Sequence, residues 1–140
     1  MTETLFTPID LGDLTLPNRV FMSPLTRNRA TDGDNLPHEL HQEYYAQRAN
    51  AGLILTEATV IATKAGGYAE TPGLWSEEQA QAWQPIIEAV HAQGSKMVVQ
   101  LWHVGRISHP DLLDGDTPVA PSAIQPAGHV SLLRPKRPYV

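Results

Sequence analysis

Cysteine is absent from the 140 residues, which excludes disulfides, thiolate nucleophiles and thiolate metal sites. Positive charge is scarce: ten Lys+Arg stand against fifteen Asp+Glu, for a formal net charge of -5. A phosphate-backbone partner needs a basic face, so nucleic acid is not an expected ligand. No apolar run approaches the roughly 20 residues needed to span a bilayer, and the acids between Met1 and Asp10 do not read as a secretory signal. No membrane partner is expected, and the expected location is the cytoplasm. Walker and Gly-x-Gly-x-x-Gly patterns are missing, as is a nucleophile elbow. With 41% hydrophobic and 18% charged residues, the composition is that of a globular chain of one domain, residues 1–140.

The residues that are present alternate between strand-like and helix-like stretches. Thr4 to Pro17 holds two short apolar stretches around Leu11-Gly12-Asp13 and reads as a hairpin. Arg19-Val20-Phe21-Met22, stopped by Ser23-Pro24, reads as a buried strand, and Thr31 to Asn35 as loop. Pro37 to Ala51 favours a helix, with Leu40, Tyr44 and Ala51 on one face and Gly52 as a left-handed stop. Leu53 to Ile61 is a second strand, whose consecutive apolar residues suit a parallel strand covered on both faces. Ser76 is a good N-cap, with Gln79 at capping-box spacing, for a helix of two stripes. Ala80, Trp83, Ile87 and Val90 form the apolar stripe, and Gln81, Gln84, Glu88 and His91 the polar one. Pro85 predicts a bend or a break, and Gly94 the end. Lys96 to Leu101 is the third strand. His109 to Pro138 reads as a long excursion rich in proline and glycine, with one short strand near Val119-Ala120. The order predicts parallel α/β units with right-handed crossovers, and three strands leave both sheet edges open.

In parallel α/β folds ligands gather at the carboxyl ends of strands. Those ends carry Ser23 to Arg27, Thr56 to Thr59 and Gln100 to Arg106: short polar side chains, exposed backbone and one large aromatic. Such a set can bond the edge of a flat heteroaromatic ring and wall its face. Taken singly, each residue has a plainer reading: Thr26 as a turn hydroxyl, Gln100 as a satisfied core amide, Trp102 as packing. His38 and His41 lie three apart on a helix, but no third ligand is near, so no metal is expected. His91 reads as solvated, and His103 and His109 as loop residues bonded to backbone.

The longer motifs say more. Phe21-Met22-Ser23-Pro24-Leu25-Thr26-Arg27, Glu43-Tyr44-Tyr45-x-Gln47-Arg48-Ala49, Ala51-Gly52-Leu53-Ile54 and Thr56-Glu57-Ala58-Thr59 come first. Gly66-Gly67-Tyr68-Ala69, Gly73-Leu74-Trp75-Ser76 and Val99-Gln100-Leu101-Trp102-His103-Val104-Gly105-Arg106 follow. In this order, from Leu5 to Val140, they resemble the old yellow enzyme family, and within it the bacterial FMN ene-reductases. The resemblance implies a (β/α)8 barrel that holds FMN at the carboxyl ends of its strands above a floor closed by an N-terminal hairpin. This chain would be its N-terminal part, three βα units plus the hairpin, incomplete on its own.

Site roles follow from the same resemblance. Pro24 and Leu25 offer backbone groups beside the flavin, and Thr26 sets its hydroxyl at the flavin C4 carbonyl. Ala58 approaches through its backbone, Gln100 bonds the pyrimidine edge, and Tyr68 and Trp102 line the substrate pocket. The implied activity is reduction of activated C=C bonds (enones, maleimides, nitroalkenes) by hydride from flavin N5, with NAD(P)H reducing FMN. The substrate-anchoring pair, the proton-donating tyrosine and the phosphate contacts belong to later strands. No catalytic residue is therefore expected in this chain, and a complementary C-terminal barrel chain is expected to be required. Two alternatives stay open: a related flavoenzyme of the dienoyl-CoA reductase type, and a non-catalytic split or truncated fragment that must associate with a complementary chain.

Overall fold

The computed structural model describes residues 2–31, 33–130 and 133–140. A short helix α1 (Thr2–Leu5) precedes an antiparallel hairpin of β1 (Ile9–Leu11) and β2 (Leu14–Leu16), with Ile9 opposite Leu16. Gly12, at φ 58, makes its turn, a conformation that glycine adopts without steric cost. Then β3 (Phe21–Met22), α2 (Glu39–Ala46), β4 (Leu53–Val60), α3 (Glu77–His91) and β5 (Lys96–Trp102) alternate. The three strands form one parallel sheet in the order β3-β4-β5. The hairpin, the three strands and the two crossover helices expected from the sequence are all present.

The core lies between the helices and the middle strand. Ile54 of β4 meets Tyr45 and Ala49 from the α2 side and Trp83, Ile86 and Val90 from α3. Each such aliphatic side chain, fully buried, contributes about 1.5–3 kcal/mol. The start of α3 is built as its sequence indicates. The Ser76 hydroxyl accepts from the Gln79 N–H at 3.2 Å, and Gln79 Oε1 accepts the N–H groups of Trp75 at 2.8 Å and Ser76 at 3.2 Å. Trp83 donates its ring N–H to the Gly73 carbonyl at 3.1 Å, so its polar edge is satisfied while its body fills the core.

Five expectations need correction. The first strand is only Phe21–Met22, and it is not buried: Val20 is 40% and Phe21 44% exposed, because β3 is a sheet edge. Strand β5, the other edge, is exposed for the same reason, Leu101 by 60%. Helix α2 is shorter than Pro37–Ala51, and its buried residues are His41 and Tyr45 while Leu40 stays exposed. Polar groups turn inward there because a buried charge awaits them, as described below. Helix α3 runs unbroken through Pro85. Proline leaves the carbonyl four residues earlier, that of Gln81, without its helical donor, and both residues face solvent. Val119-Ala120 is not a strand; between His109 and Pro138 the pairing among the described residues is an isolated bridge from His129 to Pro138.

Gly52 is the fifth. It is not left-handed; its N–H donates to the Val20 carbonyl at 2.8 Å, and a Cβ there would meet the Asn18 carbonyl oxygen at 2.1 Å. Close approach of two backbones, not helix termination, requires the glycine. Gly52→Ala is therefore expected to cost about 1–3 kcal/mol. Gly66→Ala, where a Cβ meets nothing within 4 Å, should stay within about 0.5 kcal/mol of the parent. Urea unfolding of both variants checks this, and equal midpoints would refute it.

Candidate functional site

Because the strands are parallel, their carboxyl ends share one edge of the sheet, and β4 sets the register between them. Ala58 pairs with Gln100 and Val60 with Trp102. On the other side Met22 pairs with Ile54, and the chain from Ser23 to Arg27 runs on past the end of β3. The Arg27 N–H donates to Glu57 Oε2 at 3.2 Å and holds that segment against β4. Pro24, Leu25, Thr26, Ala58 and Gln100 are thereby brought to one end. Pro24 and Thr26 are half-buried, Leu25 and Gln100 exposed, and Ala58 buried. Among the described residues neither the Thr26 hydroxyl nor the Gln100 side-chain amide has a hydrogen-bond partner in the chain. Gln100 is thus not a satisfied core amide.

Tyr68 and Trp102 also come together, with ring centroids 5.2 Å apart and planes at 60°. Backbone and hydroxyl contacts tie the segment before Tyr68 to the one after Trp102. The Val104 N–H donates to the Ala65 carbonyl at 3.1 Å, and the Ser108 hydroxyl to the Gly66 carbonyl at 2.7 Å. Gly67 lets them close, since a Cβ there would lie 2.7 Å from the Ile107 oxygen. A cleft of about 220 Å³ opens beside Tyr68, between Asn35, Thr71, Trp75 and Asp111, but no other predicted site residue lines it. The strand-end surface is an open platform rather than a closed pocket.

Sequence reasoning missed the strongest electrostatic feature beneath that platform. Glu57, with its side chain fully buried, forms an ion pair through Oε1 with the guanidinium of Arg27, whose side chain is 13% exposed. The same guanidinium lies over the rings of Tyr44 at 3.7 Å and Tyr45 at 4.7 Å. Tyr45 accepts the Glu57 N–H at 2.8 Å, and burial holds its hydroxyl in the protonated form, well above the ordinary phenol range. Burial likewise lowers the Arg27 pKa. The register shifts between Leu55 and Ala58, so that β4 carries one residue more than β5 across this step. That is a β-bulge, which re-aims a side chain locally. Thr56 stitches it: its hydroxyl accepts the Gln100 N–H at 3.0 Å and donates to the Glu57 carbonyl at 2.9 Å. The one available signal was a lone acid inside an apolar strand, which could not name a partner 30 positions away.

The two histidines of α2 serve the same region. His41 Nδ1 accepts the His38 N–H at 3.2 Å, completing a capping box, while its Nε2 lies 3.5 Å from Glu57 Oε1 without a hydrogen bond. Burial above all, then the charge of Arg27, lowers the His41 pKa to about 4. Glu57 is already committed to Arg27, so it does not rescue the imidazolium. His103 and His109 accept the N–H groups of Gly105 at 2.9 Å and Asp111 at 3.1 Å, as loop residues bonded to backbone.

A folded pKa near 4 against an ordinary 6.5 means that the unfolded chain binds a proton the folded one refuses. Stability is therefore full above pH 6.5 and falls as pH drops from 6.5 to 4. The slope from this residue reaches at most about 1.4 kcal/mol per pH unit. His41→Gln keeps a capping-box acceptor and removes the titration, so it should flatten the slope. Parallel stability-against-pH curves for parent and variant would sink this assignment.

Residues 4–135 match the model of the NADH:flavin oxidoreductase / NADH oxidase family. The chain is 46% identical over 130 residues to a flavin oxidoreductase of Emericella nidulans, covering 90% of this chain and 34% of that protein. It is 45% identical over 118 residues to a putative 12-oxophytodienoate reductase of Oryza sativa, with 83% and 30% covered. The solved old yellow enzyme homologue of Zymomonas mobilis superposes with a TM-score of 0.90 at 48% identity, over 98% of this chain and 38% of that one. Morphinone reductase, solved in complex with tetrahydroNAD, gives 0.87 at 49% identity over 97% and 39%. The chain spans about a third of the length of the curated relatives it matches. Fold, motif order and these matches agree: the chain belongs to the old yellow enzyme family, and its open α/β layers match part of that family's FMN-binding barrel.

Proposed function

We propose that residues 1–140 are the N-terminal part of an NAD(P)H-dependent ene-reductase and supply the ring-edge side of its FMN site. The observation that carries this is the gathering of Thr26, Ala58 and Gln100 at one sheet end, with the Thr26 hydroxyl and the Gln100 amide free of partners among the described residues. The donor set suits the group. A hydroxyl and an amide can bond the carbonyl and imide edge of a flat ring, small Ala58 leaves its backbone approachable, Pro24 offers a backbone carbonyl, and Leu25 a carbonyl and an N–H. The chemistry supplied by the bound flavin is two-electron transfer from NAD(P)H to an activated C=C bond. The protein's own part here is to orient the ring and to stabilise negative charge at its edge.

Thr26 donates toward the C4 carbonyl in this reading, and Gln100 toward the pyrimidine edge. Tyr68 and Trp102, already packed edge to face, wall the substrate side. The substrate class is enones, maleimides and nitroalkenes. Activity requires the remaining barrel strands, whether on the same polypeptide or a complementary one, because β3 and β5 are unpaired edges with exposed apolar side chains. The cytoplasm, which holds the NAD(P)H pools, is the proposed setting.

Two experiments on the complete FMN-loaded enzyme test this. Thr26→Ala removes a hydrogen bond to a developing charge, worth about 1.5–3 kcal/mol. It should lower the flavin reduction potential and slow the reductive half-reaction by about tenfold or more. Stopped-flow reduction at the parent rate, with an unchanged potential, would reject the role. Trp102→Ala should leave FMN occupancy intact and change which alkene sizes or faces are accepted. Loss of flavin with unaltered selectivity would assign Trp102 to packing instead.

A further inference from the structure

We propose that Glu57 is the positioning residue for the strand-end segment that carries Thr26, an inference that rests on the Thr26–flavin contact proposed above. Its carboxylate grips the next residue, Arg27, twice: Oε2 takes the backbone N–H at 3.2 Å and Oε1 pairs with the guanidinium. Among the described residues, Pro24, Leu25 and Thr26 carry no hydrogen bond, so residue 27 is the first anchor after β3. Where Arg27 is held, one peptide away, decides where the Thr26 hydroxyl stands.

Three features make the anchor rigid. The Glu57 N–H is taken by Tyr45 and its carbonyl by the hydroxyls of Thr56 and Thr59, both at 2.9 Å, so the backbone bearing the carboxylate cannot drift. The guanidinium sits over two tyrosine rings, which restricts it to one plane. The bulge at Thr56 and Glu57 reaches both ring-edge residues at once, Thr26 through Arg27 and Gln100 through the Thr56 hydroxyl. A pure packing role would need no charge, because a buried ion pair is often matched or bettered in stability by apolar side chains of similar volume. What apolar side chains cannot do is hold an N–H and a guanidinium together.

That difference sets the test. In the complete FMN-loaded protein, Arg27→Met combined with Glu57→Leu removes both charges together and leaves none uncompensated. This double variant is expected to melt within a few degrees of the parent and to retain FMN. It should slow flavin reduction by NADPH tenfold to a hundredfold, about the effect of misplacing a contact by an ångström. Its reduction potential should move in the same direction as in Thr26→Ala. Adding Thr26→Ala to it should change the rate by less than about twofold, because Glu57 acts through Thr26. Parent-like potential and rate in the double variant, or effects that multiply when Thr26→Ala is added, overturn the proposal. If Thr26→Ala alone changes neither quantity, the flavin reading of Thr26 fails instead. A measurement on the unmodified holoenzyme stands apart from any folding defect: the Arg27 amide should exchange with solvent at least about a hundredfold slower than in a free peptide. Exchange at the free-peptide rate overturns the anchor whatever the variants do.

Discussion

A carboxylate with no exposed surface dictates much of what surrounds it. Taking Glu57 out of water costs several kcal/mol, and the cost is offset only if charge and hydrogen bonds close around it. The polypeptide meets that demand from two directions: Arg27 from beyond β3 with its N–H and guanidinium, and Tyr45 from α2, whose hydroxyl donates to Oε1 at 3.5 Å, while Thr56 holds the backbone that bears the carboxylate. Helix α2 turns its His41 and Tyr45 face inward because those groups tolerate a buried charge, whereas Leu40 would leave it unsatisfied. Burial above all, and then the neighbouring charge of Arg27, keeps His41 from accepting a proton until about pH 4.

The sheet shows a different balance. Strand β4 is covered along most of its length and opens in the sequence with the apolar run Leu53-Ile54-Leu55. Strands β3 and β5 have equally apolar sequences, yet Phe21, Val98 and Leu101 stay exposed because each strand has a neighbour on one side only. Residue type reports what a strand needs, and pairing decides whether it gets it. In barrels of this family the need is met by further strands.

Local signals were legible and distant ones were not. The hairpin around Gly12, the Ser76–Gln79 capping box and the stop at Gly94 depend on residues within a few positions of one another. Pairing of Arg27 with Glu57 spans 30 positions, and the clash that demands glycine at 52 comes from Asn18, so neither has a local signature. Pro85 does not split the helix in two, because tertiary packing through Trp83, Ile86 and Val90 holds it on both sides of the proline. For the candidate site, the strand-end placement of Thr26, Ala58, Gln100 and Trp102 followed from parallel topology alone, while their roles came from family resemblance. The ion pair beneath them joins residues 30 positions apart and leaves no local pattern.

That layering has a physical rationale. A group that stabilises charge on a bound ring must keep its donor free of internal partners, which leaves the Thr26 hydroxyl and the Gln100 amide without a hydrogen bond among the described residues. Orientation then has to come from backbone fixed one layer down, out of solvent, where electrostatic interactions are strong and weakly screened. Glu57 and Thr56 are adjacent in sequence and sit in the bulge, where the side chain of one reaches the segment beyond β3 and that of the other reaches β5. A regular strand at this point would align Thr56, Glu57 and Ala58 one-to-one with β5 and lose that double reach. The irregularity in β4 is therefore what lets one buried strand hold the donors presented by its two exposed neighbours.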